Sequence, residues 1–242
     1  MVEDISKFCT SNITLNDVDI FKNHSRIIIS GSSFSGKTQL SRDIVLKYCD
    51  KFDKIILTQS KTDSLLENEI TLQKKLLIFK KIPSIPEISG YSGHKLVIFD
   101  DNYKTALQNE STLNMFTHGR HYNISVILIC QNLFSNSKYS RDISLNATHF
   151  ILLKQRDLNQ IEFLARQLFG KSESKKLVLV YKYIQKIYKF GHLLIDISQS
   201  TSEDIELRSN IVHKNGPFET CYKLLGKTFL IFYIILRNGL KC

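Results

Sequence analysis

The sequence predicts a doubly wound α/β fold, with a mostly parallel sheet carrying helices on its faces. Three observations support this. Short, continuous β-branched runs recur along the chain, segments of helical spacing separate them, and a glycine-rich turn joins the first run to the first helix. Runs apolar on both faces suit strands in the middle of a parallel sheet, and strand–helix alternation builds such a layer.

The runs are "SRIIISG" (25–31), "KIILTQS" (54–60), "HKLVIFDDN" (94–102), "ISVILICQN" (124–132), "THFILLKQR" (148–156) and "GHLLIDIS" (191–198). Between them, Leu40, Ile44 and Tyr48 share one side of "TQLSRDIVLKYC", and Ile161, Leu164, Ala165 and Leu168 share one side of "LNQIEFLARQLF". Both sets have the spacing of an amphipathic helix. Pro83 and Pro86 bracket "IPSIPEISGYSG", which reads as a loop before the third run. No repeat, low-complexity tract or linker interrupts the pattern. The expected organisation is an N-terminal segment (1–20), one core (21–200) and a C-terminal extension (201–242).

The 242 residues suffice for one sizeable core. A formal charge of +10 favours a polyanionic partner such as DNA or RNA, although a Lys-, Asn- and Ile-rich composition accounts for it equally well. The five cysteines are scattered without a CxxC pair, so neither a zinc site nor a disulfide framework is expected, and a reducing compartment fits. The N-terminus has acidic residues and no apolar h-region, so it does not read as a signal peptide, and an intracellular, non-secreted protein is expected. The apolar stretch "TFLIFYIIL" (228–236) falls well short of the roughly 20 residues a membrane span needs. A buried strand or short helix is expected there, and no membrane partner.

The chemistry is concentrated in "GSSFSGKTQ". Gly31, Gly36, Lys37 and Thr38 fit G-x-x-x-x-G-K-[ST], with an apolar run before and a helical pattern after. In such a loop, successive backbone N–H groups and a helix N-terminus surround a phosphate. Gly31, Ser32, Ser33, Phe34, Ser35, Gly36, Lys37, Thr38 and Gln39 form the expected ATP-binding stretch. Lys37 neutralises β/γ oxygens, and the Thr38 hydroxyl ligates Mg²⁺. A second metal-side acid should end another buried strand, and "KLVIFDD" supplies Asp100 for the metal's hydration shell. Asp101 is then placed to orient or deprotonate the attacking water. "ISVILICQ" ends in Gln131, placed to sense the γ-phosphate. His118 and His121 have no cysteine context and are given no metal role.

The blocks "GSSFSGKT", "LVIFDD", "FTHGRHYNISVILICQN", "RDISLNATHFILLKQRD" and "HLLIDISQSTSEDIELRSNI" follow one another in the order and spacing of viral genome-packaging ATPases. The chain thus resembles the FtsK–HerA superfamily over about residues 20–212, especially its Polinton/Maverick, adintovirus and virophage members. That resemblance implies a RecA-like, additional-strand P-loop NTPase core. It further implies a homo-oligomeric ring, usually a hexamer, that drives double-stranded DNA into a preformed capsid. A capsid or vertex protein would be the partner, and the setting a host nucleus or cytoplasmic virus factory. Lys37, Thr38, Asp100, Asp101 and Gln131 match the family's phosphate-loop, acidic and sensor positions. Many members carry Glu where this chain has Asp101. The arginine that acts in trans on a neighbour's nucleotide is not uniquely marked: Arg120 and Arg141 both lie in suitable segments. Two other readings stay open, another nucleic-acid translocase or helicase on the same core, and a non-hydrolysing, nucleotide-gated assembly protein.

Overall fold

In the computed structural model the described residues are 9–13, 19–22, 24–58, 69, 74–100, 102–212 and 219–222. The first element is β1 (Cys9–Ile13), followed by β2 (Arg26–Ser30), α1 (Lys37–Tyr48), β3 (Lys54–Thr58), β4 (Leu76–Phe79) and α2 (Ile85–Ser89). Then come β5 (Lys95–Phe99), α3 (Tyr103–Ala106), α4 (Glu110–His118), β6 (Ile124–Cys130), α5 (Ser140–Asn146) and β7 (His149–Leu152). The chain continues through α6 (Leu158–Ile187), β8 (Leu193–Asp196), β9 (Leu207–Ser209) and β10 (Glu219–Tyr222). Asp101 and the apolar stretch 228–236 lie outside the described residues.

Among the described residues all strands join one ten-stranded sheet of order β1-β10-β9-β8-β7-β2-β6-β5-β3-β4. From β7 to β4 the pairing is parallel, and from β7 to β1 it is antiparallel. The expected α/β class is therefore observed, with β6 inserted between the glycine-loop strand β2 and the acidic strand β5. Alternate residues of each central strand go to opposite faces. Ile27 and Ile29 pack with Leu40, Ile44, Val45 and Tyr48 of α1. Ile28 of β2 and Val97 and Phe99 of β5 join the opposite layer, with residues of α4, α5 and α6. Coverage on both faces explains why these strands read as unbroken apolar runs.

The six runs each contain a strand. The structure departs from the sequence reading in the elements between and after them. The "IPSIPEIS" loop contains α2: Ser84 and Glu87 form a capping box, with the Ser84 N–H donating to Glu87 Oε2 (2.6 Å). The helix beginning at Leu158 continues past Gly170, where φ 73° and ψ 178° kink it, and runs on to Ile187. Its second half buries Leu177, Val178, Val180, Tyr181 and Ile184. Edge strand β4 is short and followed by lysines, as edges often are, and its Ile78 is half exposed. The antiparallel wing of β9, β10 and β1 has no apolar run to announce it.

A buried charge network holds the wing to the core. Arg208 of β9 is fully buried between Asp196 Oδ2 (3.2 Å) and Glu219 Oε2 (3.4 Å), and His149 Nε2 lies 3.2 Å from Asp196 Oδ1. Burial alone would raise the Asp196 pKa. The His149 hydrogen bond and charge, then Ser198 and Arg208, outweigh it and hold the carboxyl well below its usual range. Neutralising Asp196 leaves the Arg208 charge short of one partner, so Asp196→Asn is expected to cost about 3 kcal/mol. Urea unfolding checks this: the midpoint falls, with the slope unchanged.

Glu206 gives the wing an opposite pH response. Burial, Glu203 and Asp196 push its carboxyl up to about 7. The folded chain therefore binds a proton that the unfolded chain has lost, and stability falls as pH rises from about 4.5 to about 7. Glu206→Gln is expected to flatten that decline, read as a melting temperature that no longer drops across this window.

Candidate nucleotide site

Parallel, in-register pairing brings three strand ends to one edge of the sheet. Ser30 at the end of β2 is opposite Cys130 at the end of β6, and Phe99 at the end of β5 is opposite Leu128. The residues that follow these ends, the 31–36 loop, Asp100 and Gln131, must therefore converge. They do so around a cavity of about 200 Å³ lined by Ser33, Phe34, Lys37, Thr38, Asp100, Tyr103, Ile129, Cys130 and Gln131.

The loop is held from below. Ser32 donates both its N–H and its Oγ to the Lys154 carbonyl, each at 2.9 Å. Gln155 Nε2 donates to Ser30 Oγ (2.6 Å), and the Gln155 N–H donates to the Tyr181 hydroxyl (2.8 Å). The Tyr181 hydroxyl in turn donates to the Leu153 carbonyl (2.9 Å). The loop thus rests on the end of β7 and on the second half of α6. A Cβ at Gly31 would collide with Ser35 Oγ and come within 2.9 Å of Leu153 Cβ. Gly36 precedes α1 with φ 94°, a left-handed conformation that side chains resist. Phe34 also lies in the left-handed region (φ 62°), at the loop tip, with its ring 99% exposed.

Lys37 Nζ donates to the Ser32 carbonyl at 2.9 Å, which keeps the ammonium over the loop. Asp100 is buried at 5% exposure, and its N–H donates to the Thr58 carbonyl of the neighbouring strand end (3.2 Å). The Asp100 carboxylate and the Thr38 hydroxyl bring to this cavity oxygen ligands of the kind Mg²⁺ takes, and the Lys37 ammonium in the same wall suits phosphate oxygens. Burial pushes the adjacent Cys130 thiol up to about 11, so it stays protonated and unreactive there.

Of the sequence candidates, Ser33, Phe34, Lys37, Thr38, Asp100 and Gln131 share this cavity. Ser32 instead ties the loop to β7, Ser35 is buried, and the Gln39 amide donates to Asp43 Oδ1 (3.0 Å) on α1. Arg120 lies in the 3₁₀ turn Gly119–Tyr122 before β6, at the opposite end of the sheet. Arg141 is exposed in the first turn of α5, outside the cavity. The sequence reading missed Tyr103 and Cys130 in the wall and Gln155 beneath the loop. The polar "KQRD" closing an apolar strand was the available signal for Gln155.

The family model described as "Poxvirus A32 protein" matches residues 63–212. The DNA packaging protein OPG160 of variola virus is 24% identical over 209 residues, covering 78% of this chain and 75% of that protein. Its vaccinia virus (strain Copenhagen) counterpart matches to the same extent. Among solved structures, the genome packaging NTPase B204 from Sulfolobus turreted icosahedral virus 2 superposes with a TM-score of 0.55. It has 13% identity, over 78% of this chain and 96% of that one, a likeness of fold. The matched span runs from before β4 through the acidic strand, β6 and the wing strand β9, and so takes in most of the sheet. The chain belongs to the poxvirus A32 protein family, within the FtsK–HerA-type superfamily of genome-packaging ATPases.

Proposed function

We propose that this chain is a Mg²⁺-dependent ATPase that works as a homo-oligomeric ring, a hexamer by family resemblance, and drives double-stranded DNA into a capsid. Residues 21–200 are its ATPase core, with 1–20 and 201–242 as flanking segments. The observation that carries this reading is the convergence of Lys37, Thr38, Asp100 and Gln131 on one cavity at the ends of three parallel strands. The relatives named for DNA packaging supply the direction of use, and solved structures of B204 in complex with ATP-γS and AMPPCP supply the nucleotide.

The loop N–H groups and the N-terminus of α1 hold the β-phosphate, and Lys37 neutralises oxygens that gain charge during transfer. Thr38 and Asp100 would hold the magnesium ion, whose bound form supplies charge neutralisation between phosphate oxygens. Asp101 orients the attacking water, and Gln131 at the end of β6 contacts the γ-phosphate and registers its loss. Arg120 or Arg141 of a neighbouring subunit completes the site. Among the described residues no helix is long and apolar enough to cross a membrane. The partner at the capsid is a capsid or vertex protein, and the setting a host nucleus or virus factory.

DNA binding tests the direction of use. If the formal charge of +10 lines a channel or one face, duplex DNA is expected to raise ATP turnover. Affinity should fall steeply and log-linearly with salt and depend little on sequence, because each neutralised phosphate releases counterions. Fluorescence anisotropy across a salt series reads this out. A flat salt response, or tight preference for one short site, would count against the motor reading.

A further inference from the structure

A second cavity, of about 690 Å³, opens at the other end of the sheet, where β2 and β7 begin and β8 ends. Its wall includes the cations Lys22, Arg26 and Arg120. Arg26 is the first residue of β2, and its Nε is buried with no hydrogen-bond partner among the described residues. Neither Arg26 nor Arg120 is ion-paired among the described residues. The two carboxylates on the same wall are already engaged, Asp19 with Lys51 (2.7 Å) and Asp196 with His149 and Arg208. Burial, and then the charge of Arg120, push the Arg26 pKa down. Two guanidinium groups facing one cleft repel each other, and removing one from water adds to that cost. An anion with several oxygens relieves both effects, since each guanidinium presents a planar fork of donors.

We infer that this cleft is a phosphate subsite in which Arg26 and Arg120 act together on one phosphate group. The inference rests on the motor reading for the source of that phosphate: a nucleotide carried by a second copy of the chain, or the backbone of duplex DNA. Arg26 is then a ligand-binding residue outside the nucleotide loop. Its position at the start of β2, the strand that ends in that loop, places the two anion sites at opposite ends of one strand.

The test uses the full chain and Arg26→Gln, with Arg26→Met, which keeps the apolar stem and removes the charge, read in the same way should Arg26→Gln not fold. If DNA is the source, the slope of log affinity against log salt for a short duplex falls in magnitude by about 0.9, the contribution of one cation. If a neighbour's nucleotide is the source, DNA-free ATP turnover falls at least about tenfold. Mixing with Lys37→Ala subunits, whose clefts are intact, then restores it. Either result supports the subsite. Wild-type slope together with wild-type turnover in Arg26→Gln overturns it. If the wild-type chain neither hydrolyses ATP nor binds DNA, the motor reading fails while the cleft can still be tested. Inorganic tripolyphosphate should then raise the melting temperature of Lys37→Ala and not of Lys37→Ala with Arg26→Gln. An equal rise in both overturns the subsite.

Discussion

Lys37→Ala is expected to lower ATP turnover by at least about a thousandfold while leaving the chain folded. The ammonium sits over the loop through its 2.9 Å bond to the Ser32 carbonyl, in the same cavity as Thr38, Asp100 and Gln131. Charge that accumulates on the transferring phosphate must be met by donors already in place, and removal of one such donor costs about 10²–10³ in rate. A full positive charge at that point is worth at least as much, because water entering the truncated space must reorganise to replace it. The structural cost is far smaller. The hydrogen bond to Ser32 contributes roughly 1 kcal/mol, and the loop keeps its anchors at Lys154 and Gln155. Steady-state phosphate release and thermal melting, measured on the same preparation, separate the two. A folded Lys37→Ala chain with near-wild-type turnover would show that this cavity does not hold the reacting phosphates.

An arginine acting across a subunit boundary is expected to contribute about 10³–10⁵ in turnover, or roughly 4–7 kcal/mol of transition-state stabilisation. Within one chain neither candidate lines the nucleotide cavity. Arg120 precedes β6 at the far end of the sheet, and Arg141 is exposed on α5. A group so placed can reach a nucleotide only on another copy. Lys37→Ala and Arg120→Ala are therefore each expected to be nearly inactive alone. Mixed, some boundaries pair an intact loop from one variant with an intact arginine from the other, and turnover returns in part, rising with protein concentration as rings assemble. Arg141→Ala run in parallel identifies which of the two residues complements. Failure of both, in rings shown by sedimentation to contain both variants, would remove both residues from the trans role.

The lining of the candidate nucleotide cavity was legible because much of it is local. Glycines at 31 and 36 followed by Lys37 and Thr38 constrain the backbone within eight residues, and the flanking apolar run and helical spacing fix what lies on either side. Asp100 and Gln131 were legible for a related reason. Each is a polar residue ending an unbroken apolar run, and only a strand buried on both faces needs such a run. That these ends meet follows once the strands are parallel and adjacent.

The sequence by itself determined the α/β class, the six apolar strands and the residues that end them, because burial on both faces leaves a continuous signal. Only the tertiary structure decided the antiparallel wing. β1, β9 and β10 are short and partly polar, and their pairing depends on the β8 edge and on the buried Arg208 charge, which finds its partners on two other strands. Only the tertiary structure, too, brought Arg26 and Arg120 to one cleft. They are far apart in sequence, and the parallel order that places β6 beside β2 is what makes them neighbours. Patterns within a segment reflect burial, which each residue meets locally. The pairing of charges across strands is a property of the sheet and has no local signal.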